Sequence, residues 1–328
     1  MASKIEYLNG VLPSSEWKMK LTREAYGEML VELGRVNENI VVLDADLAES
    51  TYTKFFRAEF PERFVECGIA EQDMMNTAGG LSTMGFIPFL SSYAIFLTGR
   101  AWDQARNTVD YSRLNVKIAA AHGGISVGQD GCSHQSMEDL SNMLSLVNMT
   151  VMVPADYWET RKMMEWIPTH EGPLYFRLGR EKVPTVTSEA TPFTPYHTLP
   201  VIGGGDGVFI STGLMTSRAV QAAEMLAEEG VFSRVLHVPM LKPLNVDEIC
   251  AAARECGAVV TMEEHSIYGG LGSLICRVLA ENDVRVPVRV VAIPDMYLMS
   301  GPPEELLGRA ALTGENAAQR MKEVLKMR

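Results

Sequence analysis

Glu71 sits in the stretch Gly68-Ile-Ala-Glu71-Gln, just after a short apolar lead-in from Phe64. Ile69, Met74, Met75, Ala78 and Leu81 follow at close to helical spacing, so Glu71 is predicted in the first turn of a helix. An acid there has a purely structural use, since it complements the helix dipole. Its neighbours are mostly apolar or small, which predicts a partly buried carboxyl. Burial raises a carboxyl pKa and suits the group to sharing a proton. A second cluster lies on one glycine-rich stretch, His122-Gly-Gly-Ile-Ser-Val-Gly-Gln-Asp130-Gly-Cys-Ser-His134-Gln. Histidines and an aspartate in this pattern are compatible with a metal site, with structural histidines, or with a ligand-binding loop. Titratable groups amid glycines make a poor core, and glycines let backbone approach a ligand closely. Between the two clusters lie Tyr93 and Phe96, three residues apart, as core residues or as flat faces for stacking.

The elements that must position these groups alternate. Thr22 is expected to cap a helix running to about Arg35. Ile40–Leu43 is a continuous apolar run, as in a buried parallel strand. It ends in Asp44-Ala-Asp46-Leu-Ala-Glu-Ser50, polar residues just past the carboxyl end of a strand, where open α/β sheets bind ligands. Further strands are predicted near 86–92, 116–121, 150–153 and 174–177. Helices are predicted near 95–109, 137–146 and 156–165. A second unit repeats the alternation, with strands near 208–211, 233–237, 259–262 and 288–292 and helices near 216–229, 246–254 and 272–281. The fold class is therefore α/β, two doubly wound domains with mainly parallel sheets. The expected divisions are an irregular arm over 1–18, a first domain over 19–183, a Pro- and Thr-rich linker over 184–200, and a second domain over 201–328.

Composition narrows the function classes. The net charge of −12 argues against a nucleic-acid or anionic-membrane surface. No apolar run reaches ~18 residues, and the opening Met-Ala-Ser-Lys-Ile-Glu-Tyr lacks the apolar core of a signal peptide. The five cysteines form no C-x-x-C pair, so a disulfide framework or zinc site is not expected. These features point to a reduced, cytoplasmic protein. Gly205-Asp-Gly207 leads straight into a strand and reads as a turn. Tyr268-Gly-Gly-Leu-Gly272, after Glu263-Glu-His265, is compatible with an anion at a helix N-terminus or with tight packing of helix on sheet.

Gly68-Ile-Ala-Glu71-Gln, with Met75 and Gly79-Gly80 behind it, resembles the cofactor-activating segment of the transketolase family. The loop from His122 is similar to that family's substrate loop, with its Gly-x-Asp130-Gly-x-x-His134-Gln frame. Gln129 stands where an acid is common, and Cys132-Ser133 where Pro-Thr is common. The resemblance implies that Glu71 hydrogen-bonds N1′ of the aminopyrimidine of thiamine diphosphate. It places Tyr93, commonly Phe in the family, and Phe96 around that ring, and Asp46 near the cofactor. It assigns His122, Asp130 and His134 to the sugar substrate, His122 and His134 with catalytic roles. Arg23, Ser50 and Arg180 would hold the substrate phosphate, for which arginine forks are suited.

The resemblance runs from about residue 20 to 328 and covers the pyrimidine-binding and C-terminal domains of a full-length transketolase. The family's diphosphate-binding domain is not covered. The implied assembly is a split enzyme, an α2β2 heterotetramer in which a separate N-terminal subunit grips the diphosphate and Mg2+ (or Ca2+). The implied reaction transfers a two-carbon ketol unit from a ketose phosphate to an aldose phosphate, as in the pentose phosphate pathway. A 2-oxoacid dehydrogenase beta subunit, a deoxyxylulose-phosphate synthase-like half and a non-catalytic assembly subunit are the alternatives.

Overall fold

The computed structural model describes residues 5–328. The first four residues of the expected arm lie outside that range. A seven-stranded sheet runs in the order Met240–Lys242, Thr150–Met152, Leu174–Arg177, Lys117–Ala121, Ile87–Tyr93, Ile40–Asp44, Phe64–Glu66. Every pairing in it is parallel except the first. The central strands Ile40–Asp44 and Lys117–Ala121 are buried along their whole length, as expected for strands covered on both faces.

A six-stranded sheet forms the second domain, in the order Glu6–Tyr7, Leu199–Gly203, Arg234–His237, Val208–Ser211, Val259–Ser266, Val288–Ile293. Its last four strands are parallel, and the first two pair antiparallel at the edge. One apolar cluster crosses between the sheets, from Leu43 and Ile118 through Val151 to Leu241 and Ile249.

Several local expectations change. The N-terminal arm is not irregular throughout. Glu6–Tyr7 is an edge strand on the second domain's sheet and Ser14–Glu16 is a 3-10 turn; just past the arm, Met19–Leu21 pairs with Lys182–Pro184. Thr22 does not cap its helix, which spans Thr22–Val36 with Leu21 before it. The Thr22 hydroxyl instead accepts the Gly179 N–H at 3.1 Å and ties the helix start to the far end of the domain. The predicted helix over 95–109 is two π-helical stretches, Phe96–Arg100 and Ala105–Asp110, around the short helix Trp102–Gln104. Such widened turns are rare and often lie at functional sites. Met240–Lys242, after the strand Arg234–His237, was not foreseen as a strand. It leaves the second domain's sheet and closes the edge of the first. Among the described residues no helix is long and apolar enough to cross a membrane.

The singled-out residues of the first domain lie at or just beyond the carboxyl ends of its parallel strands. Asp46 follows Ile40–Asp44, Glu71 follows Phe64–Glu66, Tyr93 ends its strand, His122 follows Lys117–Ala121, and Arg180 follows Leu174–Arg177. Strands far apart in sequence thus deliver their side chains to one edge.

Candidate active site

Glu71 begins the helix Glu71–Thr83 and is buried, 3 % exposed. Met74, Met75 and Ala78 anchor the same helix in the core. The Glu71 carboxylate has a partner that the sequence reading did not name. Arg100 Nη1 donates to both carboxylate oxygens at 3.1 Å. The Arg100 guanidinium also lies 4.1 Å from the centroid of the Phe96 ring. Phe96 and Arg100 bound one π-helical stretch, and the Ala101 N–H bonds back to the Phe96 carbonyl, five residues earlier. The i, i+4 spacing was the available clue; the widened turn sets the stacking. Ile69, Ala70, Glu71, Gln72, Asp73 and Arg100 line an open cleft of about 570 Å³.

Tyr93 and Phe96 stack at 5.7 Å between centroids, with 23° between their planes. His122 stacks on Tyr93 at 3.7 Å, and His134 meets both aromatic rings edge-on at 5.9 and 5.4 Å. His122 is buried, and its backbone is left-handed at φ +63°. That conformation is uncommon outside glycine, though histidine tolerates it better than most, and it recurs where function constrains a backbone. Its Nδ1 is buried without a hydrogen-bond partner. Burial, then the charges of Arg23 and Arg180 and the nearby His134, hold the His122 pKa down at about 2, so the ring is neutral at physiological pH.

Arg23 Nε donates to the Arg180 carbonyl at 2.9 Å, and its Nη1 donates to the Ser50 carbonyl. Burial, and the neighbouring Arg180 charge, lower the Arg23 pKa. Arg180 holds the Val127 carbonyl and lies 3.8 Å from the Asp130 carboxylate. The structure therefore brings His122, His134, Asp130, Arg23, Arg180 and the Ser50 backbone to one edge. Asp46 differs from them. It is exposed in a left-handed turn, with its N–H on Glu66. Asp44 is the buried acid of that segment. It accepts from Leu47 N–H at 2.6 Å and from the hydroxyls of Thr51 and Thr53 at 2.7 and 2.8 Å. Burial raises its pKa to about 6 against those bonds.

His122, Asp130 and His134 do not converge as metal ligands, since no group of three His, Cys, Asp or Glu side chains among the described residues could hold a metal ion. The helix start after Tyr268-Gly-Gly is already filled from within the chain: Glu263 accepts from Leu271 and Gly272 N–H at 2.6 and 2.7 Å. Another cleft, about 580 Å³, lies along the segment joining the sheets, against Phe193, His197, Leu199 and Arg234. None of the candidate site residues lines it.

The two halves of the chain each match a known domain family. Residues 18–186 match the transketolase pyrimidine binding domain, and residues 200–316 match the transketolase C-terminal domain. The chain belongs to the transketolase family.

It is 37 % identical to the 6-deoxy-6-sulfo-D-fructose transketolase subunit SqwH of Clostridium sp. (strain MSTE9), covering 92 % of this chain and 94 % of that one. It is 34 % identical to an apulose-4-phosphate transketolase subunit of Phocaeicola vulgatus, over 93 % and 97 % of the two chains. A split-gene transketolase solved as an inactive beta4 tetramer superposes with a TM-score of 0.85 at 45 % identity, over 93 % of this chain and 98 % of that one. Each of these is matched over nearly its whole length.

Proposed function

We propose that this chain is the C-terminal subunit of a split, thiamine diphosphate-dependent transketolase. It works with a separate N-terminal subunit in an α2β2 assembly. The reaction moves a two-carbon ketol unit from a ketose to an aldose. The observation that carries this reading is the placement of Arg100. A planar, nitrogen-bearing group hydrogen-bonds Glu71 while lying over Phe96. A subsite that satisfies both contacts at once is what an aminopyrimidine requires, and the unpartnered Nδ1 of His122 leaves a polar atom for a ligand. The residues therefore fit the cofactor.

Thiamine diphosphate, when bound, supplies the nucleophilic carbon that carries the ketol unit. Glu71 holds the proton at pyrimidine N1′ from the first turn of its helix. Tyr93 and Phe96 orient the ring, with Asp46 at the margin of the same sheet edge. Arg100 is half exposed and can swing aside without disturbing the core. The reading assigns Mg2+ (or Ca2+) and the diphosphate to the partner subunit.

His122 and His134 bind the sugar and move protons at its hydroxyls, and Asp130 orients a hydroxyl. Neutral His122 can accept a hydrogen bond from a hydroxyl at one ring nitrogen and donate at the other. Arg23 and Arg180 are like charges held together, an arrangement that an anionic end of the sugar would relieve. Relatives named for a sulfonated and a phosphorylated sugar support an anionic substrate. The test is co-purification with a chain bearing the diphosphate-binding domain, followed by a panel of ketoses and aldoses. Ketol transfer by the pair alone is expected; full activity from this chain by itself would sink the split-enzyme reading.

A further inference from the structure

The loop that carries His122, Asp130 and His134 is anchored from both domains. Its base is held by Gly123 N–H on the Leu178 carbonyl at 3.0 Å and by Arg180 on the Val127 carbonyl. Further anchors come from the second domain. Glu264, near the carboxyl end of the strand Val259–Ser266, accepts the Ser126 N–H at 2.6 Å. Ser266 N–H donates to the Met137 carbonyl at 2.8 Å, and the Ser300 hydroxyl donates to the Gln129 carbonyl.

The fit around Glu264 is close. A Cβ placed on Gly124, which is left-handed at φ +88°, would lie 2.3 Å from Glu264 Oε1. Only glycine lets the loop backbone reach that carboxylate. A buried ion pair braces the contact. Arg177 Nε and Nη2 bind Asp139 at 2.6 and 3.0 Å, and Nη2 also reaches the carbonyls of Ser136 and Glu264 at 3.3 and 3.0 Å. Glu264 and Arg177 are 5 % and 7 % exposed. A buried carboxylate is costly unless hydrogen-bonded, and the loop amide of Ser126 supplies that bond.

We propose that the second domain is a working part of the active site. Its Glu264 is a positioning residue that seats the His122–Gln135 loop for sugar binding. This rests on the transketolase reading above and adds to it a role for the second domain beyond assembly. Loss of the carboxylate frees the Ser126 amide and loosens the loop, while the Glu71 subsite, built on other strands, keeps its shape.

The test uses the full chain and its assembly with the N-terminal subunit. In Glu264→Ala, amide hydrogen exchange over 123–136 should speed up by about tenfold or more. The stretches 71–83 and 87–93 should stay as in the wild type. The KM for the ketose should rise about tenfold with kcat less affected, while thiamine diphosphate affinity, titrated by intrinsic fluorescence, is unchanged. Glu264→Gln retains an acceptor oxygen and should recover most of the loop's protection. Ser300→Ala, at an exposed contact, should speed exchange around 128–131 even if the Glu264 variants fail to fold.

Unchanged loop exchange overturns the proposal. So does loosening that spreads to 71–83, or a loosened loop with an unaltered KM. If the wild-type assembly transfers no ketol unit, the transketolase reading fails. Loop exchange then decides by itself whether the second domain seats the loop.

Discussion

At Glu71 the chain presents one wall of a cleft. The carboxylate is buried, but Ile69, Gln72, Asp73 and Arg100 around it are exposed, Ile69 by 75 %. At His122 the chain is enclosed. The ring is covered by Tyr93, and the backbone that follows it is held from the second domain by Glu264. The same polypeptide completes the surroundings of one candidate subsite and leaves the other open. The difference assigns work. Under the proposed function, sugar-binding groups are organised within this chain, whereas the cofactor's grip is divided with a partner. The electrostatics follow the same line. The open wall keeps a cation that can move, Arg100, and the enclosed side fixes its cation, Arg177, on Asp139 from several directions.

The largest expected effect probes the open wall. Glu71→Ala should lower kcat of the assembled enzyme by about 10²–10⁴-fold and leave the circular dichroism spectrum intact. Near-normal turnover would refute its assignment. Arg177→Ala probes the enclosed side. It strands Asp139 without a counter-ion and should cost about 3–5 kcal/mol in urea unfolding. A loss no larger than that of an exposed pair would show that the brace is dispensable.

Asp44 tests whether a buried acid without a cation behaves oppositely to Asp139. Burial pushes the Asp139 carboxyl up, but Arg177 offsets this and holds it below the usual range. Asp44 is raised to about 6 from 3.8. The native state therefore holds its proton more tightly than the unfolded chain does. Its contribution is full below about pH 4 and is lost as pH rises through about 6, on the order of 2–3 kcal/mol. Asp44→Asn should flatten stability across that window in denaturation series at stepped pH. The smallest effect belongs to Arg100→Ala. Its half-exposed cation should contribute under about 1 kcal/mol to stability, read as a small change in urea midpoint. A large loss would mean that the open wall is braced as firmly as the enclosed side.

Much of this was legible in the sequence. Val208–Ser211 and Leu174–Arg177 have the bounds read from their apolar runs, because buried parallel strands announce themselves locally. Glu71 at a helix start and the His122–Gln135 loop were legible as well, since helical spacing and glycine clustering are local signals. The transketolase resemblance rested on those same residues. The π-helical turns were not legible, because Phe96–Arg100 has the composition of an ordinary helix and only packing widens its turns.

Sequence by itself determined the alternation of strand and helix and which polar residues follow the strands. It thereby determined the α/β class and the residues able to do chemistry. Tertiary structure decided what those residues touch. Met240–Lys242 closes the first domain's sheet from within the second domain's sequence, and Glu264 meets Ser126 across 138 residues of chain. A periodic pattern reports which face of an element is buried, but not which distant backbone it is buried against. That choice is made by close packing and by the need to pair each buried charge and amide, which are properties of the folded whole.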